Sequence, residues 1–487
     1  MSSRDIIESY ALEIVSRARS IQKRCENLSA GYYASEAPKD LAKTIEYICY
    51  NLSKAVITIF NTTPFEGGDD NLDSPYLLNL TDRLIQILGQ DVRYIEAAKI
   101  ENLPWSIIPS FQNLARSLFP NFQIMIRPEW EYNYSVDLSD LRTTYQNYLT
   151  EFSDYLPNDF DKEISSLLKN PFFLITFPSL EKKNILLHPL LGHELGHLFA
   201  DKYLNKDRKD KFANDINDII EVITEKQLKD APLPEGDLFR APFKTHNMEL
   251  ALNFWVRGLE ELLSDIVGAI LFGPAAIFAC LELAIQQGID IMPSENNSFY
   301  PPWRMRIREV LKIIDNYGEG YFPLRNSNFS PTQRDKINKR YENIKQFTGT
   351  KKDIDLLTEN PIRKIAYEHV ATHIETGVNF LLNDCKLKDH LIKATVLYKN
   401  LPHLIERLVN DIPPNAIENS IEERENASLV EIINSSWFYK ISWADVVFNQ
   451  DGNFVEETYS KRNRVNNLTL KAIEYAELAK EYDEESK

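Results

Sequence analysis

Residues 188–200 read His-Pro-Leu-Leu-Gly-His-Glu-Leu-Gly-His-Leu-Phe-Ala, with His193 and His197 four positions apart in an apolar setting. A helix at that spacing projects both imidazoles from one face, close enough for a single ion to bridge them. Pro189 suits the first turn of such a helix, where its missing N–H is not needed. Glu194 lies beside the first histidine and can reach a water on the ion without ligating it. The HExxH pattern thus supplies two ligands and a base, and it predicts Zn2+ as the cofactor. The competing structural reading is a helix whose histidines are capped or solvated. Apolar flanks at 185–192 and 198–200 weigh against it, because two neighbouring buried imidazoles need partners and a metal serves both. Gly196 permits another backbone to approach closely.

A catalytic zinc takes three protein ligands and keeps one position for water. Downstream, residues 258–268 read Gly-Leu-Glu-Glu-Leu-Leu-Ser-Asp-Ile-Val-Gly. Glu261 and Asp265 share one helical face in this apolar stretch, and buried carboxylates so placed need a cation or a donor. The expectation is that Glu261 is the third ligand and that Asp265 accepts a hydrogen bond from a ligating histidine, fixing its tautomer. Glu260 remains a rival ligand.

HELGH followed by Glu261-Leu262-Leu263-Ser264-Asp265 resembles the glutamate-zincin (gluzincin) metallopeptidases, whose ExxxD helix supplies a ligand and an orienting aspartate. In thermolysin-like members the segment is N-E-x-x-S-D, and Glu260 departs from that Asn. The run Tyr300-Pro301-Pro302-Trp303-Arg304-Met305-Arg306-Ile307 is similar to the H-P-P-x-x-x-R-I element of the CAAX-prenyl protease and heat-shock peptidase family. That likeness implies that Tyr300, standing where the family has His, and Arg306 lie near the active site. Tyr300 could donate to an oxyanion. The alternative is a Pro-Pro turn with an arginine pinned to a carboxylate. The resemblance spans roughly 172–310 and does not include that family's membrane helices.

Outward from this segment, the expected fold class is α+β and mostly helical. A zincin-like core with a small sheet and active-site helices over 119–315 is flanked by helical regions at 1–118 and 316–487. Three- and four-residue apolar spacing from Ile6 to Ala18 predicts the first helix, with others over 39–60, 77–88 and 107–118 and a loop over 62–74. Strands are expected at Phe122–Ile126, at Trp130–Val136 as its neighbour, and at Phe172–Phe177. The last could serve as an edge that pairs with an extended polypeptide substrate. Residues 202–224 read as a charged helix and 229–245 as an exposed loop, and 202–245 together could form a lid over the site. A helix is expected over 248–272. Residues 325–358 read as a polar insertion with few structural signals. The remainder is helical, with breaks at Pro413-Pro414 and Asp451-Gly452.

With 487 residues and 43% hydrophobic content the chain can build its core without disulfides, and its four cysteines show no ligand spacing. A net charge of −17 excludes a general nucleic-acid binder. Ile266–Ile285 is apolar but holds Gly273-Pro274 and Glu282, so it predicts a buried broken helix rather than a membrane span. Charges interrupt the N-terminal apolar residues, no signal peptide is expected, and the cytoplasm is the expected location. His369 and His373 predict a solvated or partly packed helix face, His246 a surface position, and His188 a cap of the motif helix.

The leading expectation is a zinc peptidase acting on a polypeptide, with no nucleic-acid or membrane partner. The alternative is a catalytically silent or latent zinc-binding scaffold that engages partner proteins.

Overall fold

The computed structural model describes residues 3–33, 35–62, 73–103, 107–120, 122–137, 141–168, 172–230, 236–289, 299–317, 321–324, 328–349, 360–418, 424–443, 453 and 455–485. The chain is mostly helical with a small sheet, in two compact units, 1–182 and 183–487. The boundary falls inside the expected 119–315 core. The sheet therefore belongs to the first unit, whereas the HExxH helix belongs to the second.

In the first unit, α1 (Ser3–Ser29), α2 (Ala37–Thr62) and α3 (Asp73–Ala97) pack together. Their apolar faces meet through Ile14, Ala18, Leu41, Ile45, Leu52, Leu84 and Leu88, all fully buried. Arg17 and Arg24 of α1 pair with Asp82 and Glu96 of α3 along the rim of this packing. After α4 (Ile107–Leu118) come β1 (Gln123–Glu129) and β2 (Ser135–Asp137). They are followed by α5 (Leu141–Leu149), α6 (Phe160–Leu167) and β3 (Phe172–Pro178). The Tyr145 hydroxyl, fully buried on α5, donates to Asp91 Oδ2 of α3 at 2.6 Å.

The sheet order is β1-β3-β2, with β3 parallel to β1 and antiparallel to β2. Two expectations are corrected here. β2 is confined to 135–137, and its neighbour is β3 rather than β1. β3 is the central strand: Leu174, Ile175 and Thr176 have partners on both sides, so over those residues its backbone has no free edge for a substrate. The loop expected over 62–74 falls largely outside the described residues.

The second unit is arranged around one long helix. Successive helices are α7 (Leu190–Tyr203), α8 (Lys206–Asp230), α9 (Gly236–Phe272) and α10 (Pro274–Gln287). They continue with α11 (Trp303–Tyr317), α12 (Pro331–Phe347), α13 (Pro361–Asn379) and α14 (Ala394–Val409). A hairpin of β4 (Ala416–Glu418) and β5 (Arg424–Asn426) precedes α15 (Leu429–Ser442) and α16 (Glu456–Glu485). α7, α8, α10, α11, α13 and α15 all pack against α9.

α9 begins at Gly236, so 236–245 is helical rather than an exposed loop. Pro242 lies inside the helix, at its seventh residue, where it has no N–H to bond the carbonyl four residues back. Polar cross-links hold this end to α8: Arg240 to Glu221 and Glu225, Lys244 to Glu221, and Asn247 to Thr224 and Gln227. At the other end the Gly-Pro pair breaks the apolar run as expected, with Gly273 at φ 58°. Buried Asn434 seals the break. Its amide donates to Phe272 O at 2.8 Å and its Oδ1 accepts from Ala275 N at 3.0 Å, satisfying the end of one helix and the start of the next. Among the described residues no helix is long and apolar enough to cross a membrane. The segment read as a polar insertion contains α12, opened by a capping box in which Ser330 and Gln333 bond reciprocally.

Candidate metal centre

α7 and α9 cross at unusually short range because the residues between their backbones are small. A Cβ on Gly196 would lie 2.5 Å from Ser264 Cα and 2.8 Å from Ser264 O. One on Gly192 would meet Gly268 Cα at 3.1 Å and the Phe272 ring at 2.9 Å. The close approach inferred from Gly196 is thus realised, and its counterpart on α9 is Ser264 with Gly268. Glu261 and Asp265 lie one turn apart on the same stretch of α9, so this crossing brings them against His193.

His193, His197 and Glu261 form a possible metal-binding triad, their ligand atoms lying within 4.8 Å of one another. The two Nε2 atoms are 3.2 Å apart, and His193 Nε2 is 3.6 Å from Glu261 Oε2. Ligands about 2.0–2.1 Å from a zinc ion at tetrahedral angles lie about 3.3–3.4 Å apart, so these two pairs stand near coordination spacing, with the third pair inside 4.8 Å. Glu194 lies 4.0 Å from each Nε2 by its nearest oxygens, beside the triad rather than within it.

Both imidazoles are turned toward this point by carboxylates behind them. His193 Nδ1 lies 2.8 Å from Asp265 Oδ1, and His197 Nδ1 lies 3.1 Å from Glu260 Oε1. A carboxylate at Nδ1 holds the proton there, which leaves the lone pair on Nε2. Two such lone pairs face each other and a carboxylate oxygen, an arrangement that repels unless a cation or a proton sits between them. Glu260 is thereby placed on the far side of the His197 ring from the triad, which removes it as a rival ligand.

Each of these carboxylates is gripped by an arginine. Arg306 donates to Asp265 through Nε at 2.7 Å and Nη2 at 2.8 Å, and its Nη1 lies 3.1 Å from Glu261 Oε2. Its guanidinium also stacks over the Trp303 ring at 4.0 Å. Arg257 donates through Nη1 to Glu260 Oε2 and through Nη2 to the Tyr300 hydroxyl, both at 2.7 Å. Four carboxylates (Glu194, Glu260, Glu261, Asp265) thus surround two guanidiniums, so the ionised cluster with neutral imidazoles carries two net negative charges, matched by one divalent ion.

The cluster is largely withdrawn from water, with His193 9% and Glu261 3% exposed. Burial raises the pKa of Glu194 from its ordinary value despite the opposing imidazoles of His193 and His197. For Asp265, burial acts in the same direction, but Arg306 and His193 overcome it and hold the group far below the usual range. Burial disfavours the charged form of His193, yet Asp265, Glu194 and Glu261 outweigh it, and its pKa is raised. Glu260 is lowered: burial is outweighed by His197 and Arg257.

The site residues expected from the sequence therefore meet here. His193, Glu194, His197, Glu261 and Asp265 form the centre, Arg306 locks two of its carboxylates, and Tyr300 joins through Arg257. Arg306 is buried and committed to Asp265 and Glu261. Arg257, and the part played by Glu260, were missed. The available signal was Arg257 lying three and four residues before two adjacent glutamates, the spacing of helical ion pairs.

The other histidines lie elsewhere. His246 is exposed, as expected. His369 and His373 are half-buried, stacked with each other and packed edge-on against Phe212 and Trp255, and His373 Nδ1 bonds the His369 carbonyl. The His188 side chain is buried; its backbone carbonyl, rather than its ring, accepts from Leu191 N at the start of α7.

No protein-family model matches the chain, and neither a curated protein nor a solved structure shows significant similarity to it.

Proposed function

We propose that the protein is a zinc-dependent peptidase of gluzincin type, with a zincin-like core built on α7, α9 and α11. The observation that carries this reading is the convergence of His193, His197 and Glu261, their ligand atoms within 4.8 Å of one another, with a base beside them. A structural site has no use for that base, and it takes four protein ligands where three are gathered here. A zinc ion held by His193, His197 and Glu261 would acidify a bound water and polarise the scissile carbonyl. Glu194 takes the proton from the attacking water and delivers it to the leaving amine. Its raised pKa suits a group that must hold a proton between those two events. Asp265 keeps the His193 proton on Nδ1, and Arg306 fixes Asp265 and Glu261 in place. Tyr300 accepts from Arg257, which leaves its own O–H to donate to the oxyanion.

The test is a mixed-sequence peptide library incubated with zinc-loaded protein and read by mass spectrometry for new termini. Wild type cleaves, and Glu194→Gln keeps its zinc while losing turnover at least about 100-fold. Unchanged turnover in that variant would remove Glu194 from the mechanism.

The low exposure of the triad favours a second reading, a silent or latent zinc-binding scaffold that engages partner proteins. Zinc-loaded wild type that cleaves nothing would support it.

A further inference from the structure

One guanidinium near the centre has no counter-charge among the described residues. Arg306 and Arg257 each hold carboxylates, but Arg363, in the first turn of α13, does not. It is half-buried, and its buried Nε has no hydrogen-bond partner. Instead the guanidinium lies over the buried Phe254 ring at 5.0 Å. Phe254, Arg257 and Glu261 share one face of α9. The Phe254 ring also meets Phe299 at 5.0 Å and Tyr367 at 6.0 Å, both edge-on. The Tyr367 hydroxyl donates to Phe299 O at 3.0 Å, next to Tyr300, so one aromatic platform supports Arg363 and the phenol. Tyr367 feels both charges: burial raises its pKa, Arg363 opposes that rise and Glu261 adds to it.

We infer that Arg363 binds a carboxylate of the substrate and makes the site selective for acidic peptides. That carboxylate belongs either to an aspartate or glutamate side chain or to the peptide's own C-terminus. The inference rests on the peptidase reading and names its substrate class. A divalent ion cancels the net charge of the cluster, which leaves Arg363 as an unbalanced cation at its margin. A cation in the first turn of a helix opposes the helix dipole, so Arg363 is not placed there to stabilise α13. Its stacking on Phe254 restricts a long side chain in advance, so less freedom is lost when it binds an anion. Seven residues of helix put Phe254 about 10 Å along α9 from Glu261. An extended peptide advances about 3.3 Å per residue, so the recognised carboxylate falls roughly three residues from the scissile bond.

The experiment compares peptides of one cleavable sequence with zinc-loaded protein. Glutamate replaces glutamine at each position in turn on either side of the cleaved bond, and a free C-terminus replaces its amide. Wild type should cleave one acidic member with a KM about tenfold lower than that of its neutral counterpart, the low end for a hydrogen bond to a charged group. The responding position tells a side-chain carboxylate from a terminal one. Because the contact is remote from the reacting bond, kcat should change little. In Arg363→Met the preference should vanish, and in Arg363→Glu it should reverse, the neutral peptide having the lower KM. Both variants should keep wild-type zinc content, which separates a lost substrate contact from a lost metal centre. Should Arg363→Met fold poorly, Arg363→Glu decides, since an acid suits the first turn of a helix. A wild type indifferent to peptide charge, or a preference that survives in both variants, would overturn the inference and leave the peptidase reading standing. Wild type that cleaves none of the peptides would overturn both.

Discussion

Replacing Gly196 by alanine probes the feature that assembles the centre, the glycine-lined crossing of α7 and α9. The added Cβ would stand 2.5 Å from Ser264 Cα, 2.8 Å from its carbonyl oxygen and 3.0 Å from its carbonyl carbon. Carbon atoms pack at about 3.5–4.0 Å, so the helices must separate by roughly 1 Å. All three obstructing atoms are backbone, and no side-chain rotation relieves them. Alanine gains about 1 kcal/mol over glycine in a helix, while overpacking costs about 1–3 kcal/mol and occasionally more. A backbone clash belongs at the upper end of that range, leaving a net loss of about 1–2 kcal/mol. In a unit of this size, residues 183–487, that lowers the melting temperature by about 1.5–3 °C. The separation of His193 from His197 lies within α7 and is spared, but the 3.6 Å between His193 and Glu261 spans the two helices. Zinc affinity should therefore fall at least about tenfold. Circular-dichroism melting of the metal-free protein and chelator competition measure the two effects. Gly89 of α3 supplies the control, because its Cβ would meet only an Ile21 methyl at 3.7 Å, and Gly89→Ala should raise the melting temperature. If Gly196→Ala melts no lower than wild type and binds zinc as tightly, the close crossing does not position Glu261.

Zinc binding should weaken in acid. The raised pKa of His193 means that a proton competes for the nitrogen a metal needs, so affinity falls as pH drops below that pKa. In the metal-free protein the sign is opposite: a raised histidine pKa adds stability that is present below about 6.5 and lost as pH rises through the folded value. The zinc-induced rise in melting temperature should therefore be larger at pH 7.5 than at pH 6, and a rise independent of pH would contradict this. Burial pushes the Cys25 thiol up to about 12, and that of Cys49 well above its ordinary range. At pH 8 Cys25 is then thiolate in only about one molecule in ten thousand, against about one in four for a free cysteine. Both thiols should resist a thiol-specific reagent until the chain is unfolded; rapid labelling of Cys25 in the native protein would refute its burial.

What was legible in the sequence is what a single helix determines. The four-residue spacing of His193 and His197 fixed their common face, and that of Glu261 and Asp265 fixed theirs. Gly196, central in an apolar helix, already implied a close neighbour. Gly273-Pro274 marked the break between α9 and α10. Partnerships that depend on how helices face one another were not legible. Glu260 could be placed next to a ligand position, but only the crossing of α7 and α9 turns it toward the back of the His197 ring. The role of Arg306 as a lock on two carboxylates likewise required α11 to be docked on α9. Strand order is a non-local property, and nothing in Phe172–Phe177 itself announces a central position between β1 and β2. Two stretches differ from their local signals. Residues 229–245 read as an exposed loop, yet α9 already runs through them from Gly236, and Ser330 with Gln333 spells a capping box inside a segment read as an insertion.

The central claim is tested most directly by metal analysis of the purified protein together with anomalous diffraction at the zinc absorption edge. One zinc per chain is expected, bonded to His193 Nε2, His197 Nε2 and a Glu261 oxygen, with no fourth protein ligand, and lost when Glu261 is replaced by alanine. A protein that takes up no metal, or one whose metal lies away from Glu261, would contradict it.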